Sequence, residues 1–419
     1  EMYDYALAST RPFGGYNGMH DSAGAIGGSA PHDPPPDFSV HHGRAAFRKQ
    51  AGLPEAMPPT RQWYPSAGQA LLRDSWGKDA TYLTFDATVW GGAHCHLSRN
   101  TIQVHAHGRA LLVDTGTLTY EGSDPASAHG RATRAHNTLT LNGLNQSPTN
   151  PDRTQCHLAP GYSLVSSDYE GGYWEGTYLW SWDHMNQGLW ASHNRQLLWV
   201  HGRFIAVFDS MARIGQKTNE APTDKPSLEQ YWQFGDDPVS VDAAAGRVLT
   251  GYPDANVLML FPQVPEGTEY TLHRGERDPV AGWLPSQQGL RPAPQLRLRL
   301  ACMDRWHENF VTIILPFRGG PSEAPQVKAT VTPAQSGKPA CLRLTWANGE
   351  TDEVWTRHRA NTMLGSGEGW ATDGGLLHLL RSADGQVVSG AALNATWVDP
   401  WLPTMQPTPG LLTFTAKRS

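Results

Sequence analysis

Four cysteines in 419 residues, at positions 95, 156, 302 and 341, show no C-x-x-C spacing. They exclude a dense disulfide framework and leave the redox compartment undecided. No stretch reaches the roughly 18 to 20 apolar residues that a helix needs to span a bilayer, so no membrane span is expected. Basic residues are not in excess: 33 Lys and Arg face 39 Asp and Glu, for a net charge of −6. That balance lacks the electrostatic footprint of nucleic-acid binding, and it repels any polyanion at long range, so such a partner must be held by local Arg, Lys or metal charge. No H-E-x-x-H helix supplies a general base for a zinc hydrolase, and Glu121 is an unconvincing substitute. Gly365-Ser366-Gly367-Glu368-Gly369 lacks the strand-to-helix context of a phosphate loop and is expected to be a flexible turn. The opening Glu1-Met2-Tyr3-Asp4 has neither the basic start nor the apolar core of a secretory signal. It suits a mature or cut product, which leaves open an export signal upstream.

Strand signals are abundant. Tyr82 to Ala87, Leu139 to Leu141, Gln196 to Val200, Phe204 to Phe208 and Val311 to Leu315 are short β-branched or aromatic runs bounded by turn residues. Without long helical periods between them, they predict a mainly β chain of antiparallel sheets packed face to face. Residues 1 to 60 differ. Met2 to Ala8 resembles a helix end with its terminator at Arg11-Pro12, and Asp37 is a plausible N-cap for a second helix over Phe38 to Ala51, with Gly52 past its end. A Gly, Pro and Ser break from Arg318 to about Pro325 divides a central region, 61–325, from 326–419. There Leu342 to Trp346, Leu376 to Leu380 and Leu411 to Thr415 suggest either closing strands or a small β-module. Sixteen Trp and 13 Tyr offer flat faces suited to sugar rings, but the same residues fill β-sandwich cores. For the run Tyr173 to Trp182 a glycan platform and packing both stand open.

The densest chemistry lies between Gly91 and Gln146. His94 and His96 flank Cys95, and in an extended backbone both imidazoles leave one face while the thiol leaves the other. Thr101 to Val104 and Ala110 to Val113 form a predicted hairpin around His107-Gly108, returning Asp114 towards the histidines. Two imidazoles and a carboxylate, with a fourth position left for water or substrate, suit zinc. His105-Ala106-His107 repeats the spacing at the hairpin tip, where solvent and no converging carboxylate are expected.

Three pieces of this segment together resemble the β-sandwich domain of the heparinase II/III-type polysaccharide lyases. They are Gly91-Gly92-Ala93-His94-Cys95-His96, then Gly108 to Tyr120 with Asp114-Thr115-Gly116 at its centre, and Arg131-Ala132-Thr133-Arg134-Ala135-His136-Asn137-Thr138 followed by Asn142 to Gln146. A looser likeness runs from Trp63 to Asp209. The resemblance implies an antiparallel β-sandwich preceded by a short helical remnant of an α/α toroid. It implies His94 as a catalytic histidine and His96, Asp114 and His136 as ligands of a structural zinc ion, in preference to calcium. The chain departs from the family pattern at Leu97-Ser98-Arg99-Asn100 and at Ala128-His129-Gly130, where substrate contacts are expected.

The implied reaction is β-elimination at a uronic acid, which requires a neutralised C6 carboxylate, a base against C5 and a proton for the departing O4. Arg131 and Asn137 are candidate donors to that carboxylate. Tyr120 is either a substrate contact or an aromatic filling a sheet face, and Arg131 either a substrate contact or a solvated charge. The implied partners are an acidic polysaccharide or oligosaccharide and the toroid region, in the same chain or a separate one, with a homo-oligomer left open. The implied location is secreted or periplasmic. The rival reading is a non-catalytic carbohydrate-binding or metal-stabilised structural sandwich.

Overall fold

The computed structural model describes residues 2–12, 48–52, 57–88, 94–149, 153–176, 190–213, 225–286, 289–335, 338–357, 363–367, 369–406 and 408–416. Among them the strands build three stacked layers. The first layer begins as a meander in chain order, Arg61–Tyr64, Gln69–Arg73, Tyr82–Asp86, Thr101–Ala106 and Arg109–Leu112. It continues through a bridge between Leu112 and Phe234 into the strands Leu228–Gln233, Leu139–Leu141, Gln295–Leu300 and Glu269–His273. The middle layer is an eight-stranded antiparallel sheet in which His307–Arg318 lies between Ala255–Gln263 and Phe204–Arg213. Its other half continues through Ala191–Val200, Tyr162–Tyr169 and Arg153–Ala159.

The middle sheet is apolar on both faces, which explains its unbroken hydrophobic runs. In Phe204–Arg213, Ile205 and Val207 turn to one core, with Trp232, Phe85 and Leu298 of the first layer. Phe204, Ala206 and Phe208 turn to a second core, with Leu342, Leu344, Val354 and Leu376. Those last residues belong to the third layer, a six-stranded sheet running from Val327–Thr332 to Gly410–Thr415. The C-terminal strands thus make a sheet of their own but share a core with the middle one. Asp352 reinforces the join, accepting from Arg203 at 2.9 Å and lying 2.8 Å from His378, whose other ring nitrogen meets Tyr162 at 3.1 Å. Of the glycines expected to form a flexible turn, Gly365 and Gly367 lie in a strand, Gly365–Gly367, that pairs with Trp370–Thr372.

The first helix, Met2–Ala8, docks on the outer face of the meander. Ala8 packs with Leu71 and Tyr82, and the Arg73 guanidinium donates to the carbonyls of Ala8 and Thr10, both at 2.7 Å. A cation at a helix C-terminus satisfies carbonyls that the helix itself leaves open. Of the second expected helix, residues 38–47 lie outside the described residues and Arg48–Gln50 are helical.

The predicted hairpin is present, with His107 and Gly108 both at positive φ, 54° and 80°, as a tight turn of matching twist requires. One of its two histidines departs from expectation. His105 is buried, opposite Tyr82 in the register, because the chain around Ala8 covers that face. Tyr173 and Trp174 are also buried, paired with Gln146 and Asn145, so these two pack and offer no platform; residues 177–182 of that run lie outside the described residues. No disulfide joins the cysteines, and among the described residues no helix is long and apolar enough to cross a membrane.

Candidate metal-centred site

Residues 94–100 form a loop, not the extended strand that would have sent both histidines to one face. His94 is exposed and His96 is completely buried, so the two part company. Arg99 holds the loop in place. Its amide donates to Gln146 Oε1 at 2.6 Å, its carbonyl accepts from Gln146 Nε2 and Thr138 Oγ1, and its buried guanidinium reaches back to the His96 carbonyl at 3.4 Å.

Asp114 follows the hairpin's return strand. Its Oδ1 accepts from the Gly116 amide at 2.9 Å, in a turn that puts Gly116 at φ 55°, where a side chain would be strained. Its Oδ2 lies 2.7 Å from Nδ1 of His136, which sits directly after the short 3-10 turn Thr133–Ala135. Ligand atoms of His96, Asp114 and His136 all lie within 4.8 Å of one another, and all three residues are buried. Burial alone would raise the Asp114 carboxyl; the His136 imidazole, the Gly116 amide and His96 hold it below its ordinary value.

This donor set fits a zinc ion. Two imidazoles and a carboxylate are suitable ligands, and zinc held by all three would take the place of the hydrogen bond between His136 Nδ1 and Asp114, leaving the second ring nitrogen of His136, Nε2. That Nε2 is buried with no hydrogen-bond partner among the described residues.

The remaining site residues divide. Tyr120 lies outside any strand and is 65% exposed, with the half-buried Arg131 guanidinium 5.7 Å from its ring centre. Filling a sheet face is therefore not its role. Arg131 ends the short helix Pro125–Arg131, and its carbonyl receives the Leu97 amide at 3.0 Å, bringing the helix end against the histidine loop. Gly130 permits this seat: a Cβ there would stand 3.1 Å from the Gly116 carbonyl and the Leu118 amide.

Asn137 corrects its expected role as a substrate donor. It is wholly buried, its amide donating to the carbonyls of Ile102 at 2.7 Å and Val113 at 2.9 Å while its oxygen accepts from the Gln233 amide at 2.6 Å. Both of its N–H donors are spent on backbone, and the side chain ties three strands together.

The sequence reading missed the group beneath the site. Arg195 forks onto Asp209, which also meets His193 at 2.7 Å and Gln230 at 2.9 Å. Burial would raise the Asp209 carboxyl, but Arg195 and His193 hold it far below the usual range. The signal was present, since Ser192-His193-Asn194-Arg195-Gln196 is a polar run that continues into the apolar strand Leu197-Leu198-Trp199-Val200.

These layers, with a buried His, Asp, His cluster at a loop edge that exposes His94 and Tyr120 beside the half-buried Arg131, define a β-sandwich of polysaccharide-lyase type. The C-terminal model of the heparinase II/III-like proteins matches residues 56–341, and the chain belongs to that family of lyases. A heparin-sulfate lyase of Pedobacter heparinus is 24% identical over 284 residues, covering 67% of this chain and 38% of the relative. Another, of Bacteroides stercoris, is 31% identical over 104 residues, 24% of this chain and 15% of the relative. Among solved structures, a heparinase III gene product superposes with a TM-score of 0.64 at 17% identity, over 82% of this chain and 50% of that one. The heparan sulfate lyase HepC from Pedobacter heparinus gives 0.61 at 18% identity, over 81% and 50%. The chain thus spans about half the length of these solved structures and 38% of the first curated relative.

Proposed function

We propose that this chain supplies the sandwich side of a lyase that cleaves uronic-acid-containing polysaccharide by β-elimination. The observation that carries this reading is the division of labour within three residues: His96 is buried in the cluster while His94 stands exposed. A buried anchor next to an exposed imidazole is the arrangement by which a rigid centre positions a group that meets substrate.

His94 faces the sugar and takes part in proton transfer or in neutralising the C6 carboxylate. Arg131 donates to that carboxylate, and Tyr120 offers its ring to a sugar face. His96, Asp114 and His136 would hold zinc, whose charge, when bound, orders the loops that carry them. The helix Met2–Ala8, docked through Arg73, is the joint to an upstream helical region that carries the opposing wall of the cleft and the principal acid and base. The natural setting of the enzyme is secreted or periplasmic, where such polymers are met.

The test compares the chain with and without its upstream helical region on a panel of acidic polysaccharides, following the ultraviolet absorbance of the unsaturated product. Turnover only with the helical region is the expected result. Full activity from the 419 residues alone would refute the two-walled site. Binding of glycan without turnover in either form would favour the non-catalytic sandwich.

A further inference from the structure

The helix Pro125–Arg131 and the turn after it also wall a cavity of about 590 Å³, opposite the loop that carries Arg277 and Asp278, with Glu175 on a third side. That volume falls within the range of small-molecule sites, roughly 300–1,000 Å³. His129 lines the cavity and is 2% exposed, yet neither of its ring nitrogens has a hydrogen-bond partner among the described residues. Arg134 lines it too, and its Nε is buried without a partner. These nitrogens are closed off from the cavity, and the charged groups that line it are the guanidiniums of Arg134 and Arg277 and the carboxylates of Glu175 and Asp278.

We propose that this cavity is a subsite for an anionic sugar residue, whose carboxylate or sulfate is received by Arg134 and Arg277 and whose hydroxyls are received by Glu175 and Asp278. The proposal rests on the glycan reading above and adds a second place of contact to it. A planar guanidinium matches the oxygens of either anionic group. Arg277 adds a second guanidinium at the rim, 3.5 Å from Asp124. The carboxylates of Glu175 and Asp278 make the cavity a poor place for a bare inorganic anion. They suit a ligand that carries hydroxyls beside its charge.

The experiment is calorimetric titration of the intact chain with three disaccharides of one size: N-acetylglucosamine–glucuronate, its N-sulfated counterpart and a neutral N-acetyllactosamine. The two anionic sugars should bind and the neutral one at least tenfold more weakly, with Arg134→Gln weakening the anionic pair tenfold or more. Circular dichroism and thermal unfolding confirm the fold of the variant. If Arg134→Gln erases an advantage of the sulfated sugar, sulfate occupies the subsite; if it weakens both anionic sugars alike, the carboxylate does. Binding that survives Arg134→Gln and Arg277→Gln but is lost in Arg131→Ala places the sugar on the Tyr120 edge and overturns the subsite while leaving the lyase reading intact. Equal binding of the neutral sugar, or no binding at all, also overturns it, whatever the ultraviolet assay of the longer protein finds.

Discussion

The Arg195 guanidinium donates to the carbonyl of Asn137 at 2.5 Å, and Asn137 directly follows His136 in the chain. The same guanidinium donates to the carbonyl of Asn100 at 2.6 Å, four residues beyond His96. One buried cation therefore ties both histidine-bearing segments to the middle sheet, with Asp209 as its counter-charge.

Replacing Arg195 by Met removes the fork and leaves the Asp209 carboxylate buried beside a neutral partner. Breaking one side of a buried pair costs about 3–5 kcal/mol. The urea midpoint should fall accordingly. A loss below about 1 kcal/mol would show that the network is not needed to hold the two loops.

Elemental analysis of protein purified without chelators should find close to one zinc per chain. His136→Ala and His96→Ala should each lose it. Cys95→Ser should not, since the thiol lies outside the cluster of three ligands. Full metal occupancy in both histidine variants would remove the cluster from consideration as a metal centre.

With the helical region present, His94→Ala should lower kcat by about 10²–10⁴, the usual contribution of a positioned acid or base. Its melting temperature and zinc content should stay at wild-type values, because the side chain is exposed. Arg131→Ala should raise KM for acidic glycans. An equal loss on neutral glycans would count against contact with the carboxylate.

Acid should destabilise the fold through His105, which burial and the nearby Arg11 and Arg73 pull down to about 3. The folded pKa lies below the ordinary value near 6.5, so the unfolded chain binds the proton first. Stability is therefore intact above about pH 6.5 and is lost as pH falls from there towards 3, by up to about 1.4 kcal/mol per unit. Between pH 7 and 4.5, with chelator present throughout, His105→Gln should lose roughly 2–3 kcal/mol less than wild type by denaturant titration. Equal losses would mean that His105 can take its proton in the fold.

Arg73→Gln should free the first helix. Hydrogen bonds from a charged group contribute about 1.5–3 kcal/mol. Amide exchange over residues 2–10 should quicken while exchange in the middle sheet does not change. Unchanged exchange in the helix would assign its docking to Tyr5, Ala8 and Tyr82 alone.

The elements legible in advance were those whose cause is local. The hairpin around His107-Gly108 needs only two residues at positive φ between β-forming runs, and the helix Met2–Ala8 ends just before the Arg11-Pro12 terminator. Strands such as Phe204–Arg213 announced themselves by apolar runs that only a sheet covered on both faces can bury. The loop at 94–100 was misread as extended because a two-residue histidine spacing looks the same in a strand and in a loop. What distinguishes them here is Arg99 bonding to Gln146, and that pairing leaves no mark in the local pattern.

By itself the sequence determined a mainly β chain with several of its strands, the hairpin that returns Asp114, and the His, Asp and His side chains that its motifs carry, since these follow from backbone preferences and side-chain chemistry within short windows. Only the tertiary structure decided that His94 stands in solvent while His96 is sealed, that Asn137 spends its amide on backbone, and that the C-terminal strands stack as a third sheet. The reason is distance along the chain. Arg195 reaches Asn100 across 95 residues, and whether a polar group is spent inside the fold or left open for a ligand is settled by such partners, which no local pattern names.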